Sequence, residues 1–133
     1  METIAQATAV LQDENAAETA RVDAAHFLGR NGSEEAATLL VTTLDDDDYG
    51  VHWAASEGLA SMGDAAMPAL LNALVSSTCS PRTAHGAKHA FHTSSSSNVR
   101  METKAILHTM HGSKVDMTTM QAASDLMIKL RVS

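Results

Sequence analysis

The chain has 133 residues, 44% hydrophobic and 19% charged, which fits one folded domain with one continuous core. Aromatics make up only 3%, so the core must be built from Ala, Leu, Val and Met, which suits close-packed helices better than a β-sandwich. The net charge of −7 with histidine neutral argues against DNA, RNA or an anionic membrane surface as the main partner, because those affinities come from Lys and Arg.

Taken in chain order, the pattern predicts helices at about 3–12, 17–30, 33–44, 49–61, 64–76, 81–93, 97–110 and 114–131. Gly32 and Gly63 suit the left-handed conformation that ends a helix, and Ser33 and Asp64 directly after them suit the next N-cap. The acidic run Asp45–Asp48 favours the positive end of the helix that follows it. Ser80-Pro81 reads as an N-cap with Pro at the first helical position. Ser95, Ser96, Ser97 and Asn98 read as a turn. The start has no basic region followed by a long apolar run, and no run approaches the ~20 apolar residues of a membrane span. Cys79 is the single cysteine, compatible with a reducing compartment. The expected location is the cytoplasm.

The chain repeats itself. RVDAAHFLGRNG (21–32) aligns with HWAASEGLASMG (52–63): Ala24 falls on Ala55, Leu28 on Leu59 and Gly32 on Gly63. The next segments, 34–44 and 65–74, align after a one-residue deletion. A period near 30 with two helical patterns per unit means stacked helical hairpins. The fold class is therefore all-α, a right-handed α-solenoid with stability drawn from neighbouring units. As one domain over 1–133 it divides into a capping helix (1–15), units at 16–46, 47–78 and 79–112, the last degenerate, and a C-terminal capping helix (113–133).

The pattern Arg21-x-x-Ala24-Ala25-x-x-Leu28-Gly29-x-x-Gly32, followed by Leu44-x-Asp46-x-Asp48-x-x-Val51, resembles the HEAT repeat. The closer likeness is to the short HEAT-like type first noted in phycobilisome lyases. His52 stands where the repeat usually has Arg, and Ala60 where it has its first Gly. The resemblance implies an exposed surface built from equivalent positions of successive units, with the second helices on the concave side. It also implies, more remotely, a chromophore-binding role of the bilin-lyase kind, for which the few aromatics offer little pocket. HEAT-like iron hydroxylases carry His-Glu pairs, and no such dipeptide occurs here.

Histidines concentrate in the third unit. His85, His89 and His92 share one helical flank at i, i+4, i+7 spacing, beside a core stripe anchored by Phe91. An antiparallel second helix would bring His108 and His111 towards His85 and Cys79, a donor set suited to zinc or another transition metal. No CxxC or HExxH pair supports it, so flanking, hydrogen-bonding histidines are the rival reading. His26, Glu57 and His89 occupy equivalent positions and form a ridge along the stack.

No nucleophile with an orienting acid and no phosphate-binding glycine loop is present, so neither a catalytic residue nor a cofactor is assigned. The main expectation is a non-catalytic protein-interaction or scaffolding module; a metal-binding or metal-regulated protein is the alternative. Candidate contacts are Thr38, Thr42, Asn72 and Lys104 on second helices, and a second patch of Asp47, Asp48, His52 and Trp53. Trp53 is either an interface anchor or a wedge packed between units. Met101, Met110, Met117, Met120 and Met127 crowd the C-terminal part, where an apolar solenoid end invites self-association.

Overall fold

In the computed structural model the described residues are 3–31, 33–76, 79–112 and 114–132. Helices α1 (Ile4–Gln12), α2 (Glu18–Asn31), α3 (Glu34–Thr43) and α4 (Tyr49–Met62) open the chain. A 3-10 turn (Gly63–Ala66) leads into α5 (Met67–Val75), then α6 (Pro81–Thr93), α7 (Ser97–Glu102), α8 (Lys104–Thr109) and α9 (Met117–Val132). The boundaries follow local chemistry. Ser33, Asp48, Ser80 and Ser96 each accept a backbone N–H three residues on, capping α3, α4, α6 and α7. Thr3 and Gln6 close a reciprocal capping box at the start of α1. Gly63 ends α4 at φ +58°, as expected of it. Gly32, expected to do the same for α2, lies outside the described residues.

First helices stack in one layer, α2 on α4 on α6, with α1 against α2. Second helices form the other, α3 on α5 on α9. Leu28, Leu59 and Phe91, the three aligned anchors, are all buried within one continuous apolar core. The α2–α4 contact is the tightest. A Cβ at Gly29 would lie 2.6 Å from the Gly58 backbone, so the two helix backbones meet directly. Further along the layer, the Ser56 hydroxyl donates to the Gly86 carbonyl oxygen at 2.9 Å, and Gly86 leaves room for Leu44 and the His52 ring.

Two expectations are corrected. The helix expected over 97–110 is broken at Thr103, whose buried hydroxyl donates to the Val99 carbonyl oxygen at 2.7 Å. The place beside α5 is then taken by α9, not by 97–110. Asp64 is no N-cap: it lies within the 3-10 turn and accepts from the Ser96 hydroxyl and the Asn98 amide, tying that turn to α7. Residues Tyr49–Val75 are long and apolar enough by composition to cross a membrane, yet half of their most apolar window is buried here. The turn at Gly63 redirects α5 into the second layer.

Candidate interaction site

Successive first helices carry aromatic and imidazole rings at matching i, i+4 positions: Tyr49 and Trp53 on α4, His85 and His89 on α6. Because α4 and α6 pack side by side, these rings meet. His89 lies edge-on to Trp53 with centroids 4.5 Å apart. His85 lies 5.6 Å from Trp53 and stacks on His52 at 5.9 Å. Tyr49 stacks on His52 and meets Trp53 edge-on, both at 5.8 Å. Trp53 is half-buried in this cluster, its indole packed between the rings of α4 and α6.

Two adjoining clefts share His85. One, of about 320 Å³, is lined by Asp46, Asp47, Tyr49, His52, Pro81, Arg82 and His85. The other, of about 440 Å³, is lined by Trp53, His85, Lys88, His89, His92 and Gly112. Tyr49 is 67% exposed beside the first cleft.

The acidic loop frames the first cleft. Arg21 is buried, donates through Nε and Nη2 to the Leu11 carbonyl oxygen, and pairs with Asp46 at 2.5 Å. That hydrogen bond raises the Arg21 pKa against the opposing effect of burial. Burial works against the ionised form of Asp46, but the Arg21 hydrogen bond, the Asp48 backbone N–H and the Arg21 and Arg82 charges prevail. Its carboxyl lies below the usual range. Arg82 donates to the Asp45 carbonyl oxygen and to Asp47 at 2.7 Å, joining α6 to the loop. Burial pushes the His89 imidazole below its ordinary value. Glu57 pulls the other way, while His85, His92 and His52 add to the depression.

The interaction residues inferred from sequence fall into distinct places. Asp47 is exposed and paired with Arg82, and Asp48 is occupied as the α4 cap. His52 is only 2% exposed. Its Nδ1 donates to the Leu44 carbonyl oxygen at 2.7 Å, so the ring is a fixed part of the cleft wall, not a free contact. Thr38 and Thr42 line a groove with α1, and Thr38 and Asn72 a narrower one between α3 and α5. Both threonine hydroxyls are already bonded to their own helix. Lys104 is exposed on α8, away from that line, because α8 is not the third second-layer helix.

The six metal-ligand candidates do not assemble. His85, His89 and His92 share α6, with His85 and His92 exposed. His108 is exposed on α8, and His111 is exposed and pairs its backbone with Lys114. Cys79 is half-buried, and burial followed by the Asp45 charge raises its thiol away from the thiolate a metal requires. Among the described residues, no group of three His, Cys, Asp or Glu side chains is placed to hold an ion. In place of one antiparallel helix after α6, the chain forms the two short helices α7 and α8. The expected ridge is present in part, with His26 Nε2 at 3.3 Å from Glu57. Met117 is 84% exposed, whereas Met120 is half-buried and Met110 buried.

Tyr49, Arg82, Lys88 and Gly112 were absent from the sequence-derived set. The signal for Tyr49 was available, as its i, i+4 spacing to Trp53 mirrors His85 to His89. Gly112 enters through tertiary folding alone.

The HEAT repeats family matches residues 4–91. The chain belongs to this family. The match ends at Phe91, where the regular hairpin geometry also stops and α7 begins an irregular connection. No curated protein matches the chain. HEAT repeats commonly mediate protein interaction or scaffolding, and this chain has their stacked-hairpin architecture.

Proposed function

We propose that the protein is a non-catalytic interaction module whose partner docks on the α4–α6 ridge, over Tyr49, Trp53, His85 and His89. One observation carries the reading: five rings from two successive HEAT units converge around two adjoining clefts, with Tyr49 left exposed. Rings and half-buried indoles supply large contact area at small entropic cost, the usual composition of interface anchors. The acidic loop at one end sets the orientation of whatever docks there.

The test is affinity capture from the native cell with wild-type protein, Tyr49→Ser/His85→Ser and Thr42→Arg/Asn72→Arg variants. A partner lost in the first variant and kept in the second supports the ridge. Loss confined to the second variant transfers the interface to the grooves along α3. Absence of any stable partner refutes the module reading.

A further inference from the structure

Charge is distributed unevenly along the chain. Of its 16 acids only Glu102, Asp116 and Asp125 lie beyond Asp64, whereas of its Lys and Arg only Arg21 and Arg30 lie before it. Helix α6 carries Arg82, Lys88 and three histidines and no carboxylate. It is a cationic strip on an acidic protein. Arg82 is committed to the Asp45–Asp47 loop. Lys88 has no ion pair or hydrogen bond among the described residues, although it is half-buried. Glu57, whose charge acts on His89, is bonded to His26. Lys88 lines the second cleft together with the Trp53 indole and His85, His89 and His92.

Resting on the ridge reading above, we infer that the Trp53–Lys88 cleft receives a carboxylate side chain, Asp or Glu, from an acidic segment of a partner protein. The ammonium of Lys88 supplies the charge. The imidazoles supply ring N–H donors. Trp53 gives the apolar floor on which the stem of a glutamate or a neighbouring aliphatic residue lies. A basic segment would set its charge against Lys88 and be disfavoured in this cleft.

The cleft contains its own reporter, because Trp53 is the only tryptophan. The full chain is titrated, at constant pH and low salt, with a blocked peptide of alternating Glu and Leu and with one of alternating Lys and Leu, reading Trp53 fluorescence. A saturable change with the Glu peptide alone is expected. Lys88→Glu should weaken it at least about tenfold, as loss of a close charge pair does, and exposed Lys104→Glu should not alter it. Lys88→Gln is the second variant should Lys88→Glu not fold by circular dichroism. No saturable change, equal response to the Lys peptide, or an affinity unaffected at Lys88 overturns the inference. If a native partner depends on Tyr49 while the Glu peptide fails, the charge inference falls and the ridge stands. If the Glu peptide binds through Lys88 while no partner depends on Tyr49, the ridge falls and the anion preference stands.

Discussion

Two glycines on neighbouring helices should respond to the same substitution with opposite signs. Gly29→Ala places a Cβ 2.6 Å from the Gly58 Cα and 2.9 Å from its carbonyl oxygen. Those are backbone atoms, so relief requires α2 and α4 to separate by several tenths of an ångström along the closest contact of the stack. Overpacking of that kind costs about 1–3 kcal/mol or more, against a helix-propensity gain of about 1 kcal/mol. Gly50→Ala crowds the tip of the Glu18 carboxylate and meets Asp48 Oδ1 at an ordinary van der Waals distance, 3.4 Å. Glu18 is exposed and its tip swings away, so the propensity gain survives, about 0.5–1 kcal/mol in an early helical turn. Urea denaturation followed by helical circular dichroism should show Gly29→Ala less stable than wild type by about 1–2 kcal/mol, with Gly50→Ala equal or more stable. A Gly29→Ala protein as stable as wild type would refute the backbone contact. Greater loss at Gly50 would refute the comparison.

Leu28→Ala and Leu59→Ala remove fully buried anchors from the core and should each cost about 2–5 kcal/mol, read by the same denaturation. Asp46 is held below the usual carboxylate range, so its contribution is complete above the unfolded value near 3.9 and is lost as pH falls through the folded value. Asp46→Asn should therefore flatten the acid limb of stability below about pH 4 and cost on the order of 2 kcal/mol at neutral pH; an unchanged acid limb would count against the Arg21 pair. His89 is a base held below its unfolded value near 6.5. Its contribution is full above that pH and declines as pH falls towards the folded value. An NMR titration placing His89 at or above about 6.5 contradicts the burial seen here.

The repeat was legible because its determinants are local. Ala24, Leu28, Ala55 and Leu59 recur at fixed spacing, and caps such as Ser33 and Ser80 are set by their own neighbours. What misled were residues whose roles depend on distant groups. The helix expected over 97–110 is interrupted at Thr103, which no local pattern marked, and Lys104, His108 and His111 do not take their inferred places. Asp64 was drawn from a capping role to Ser96 and Asn98, more than thirty residues on. The ring cluster was half legible: each i, i+4 pair is visible in sequence, but their convergence depends on Gly86 letting α6 approach Leu44 and His52.

The substitution of His52 for the repeat's arginine links these observations. At the first interface Arg21 does two things: it donates to the Leu11 carbonyl at the end of α1 and reaches forward to Asp46 in the next loop. His52 keeps the first role through Nδ1 and the Leu44 carbonyl at the end of α3. An imidazole is too short for the second. The loop-to-helix tie of the second interface is supplied instead from α6, where Arg82 reaches back to Asp45 and Asp47. The flat ring that remains is stacked by Tyr49 on one side and His85 on the other, leaving an open cleft beside it. In this chain the departure from the repeat pattern is what turns a structural position into the wall of an open cleft, the one proposed above as a docking surface.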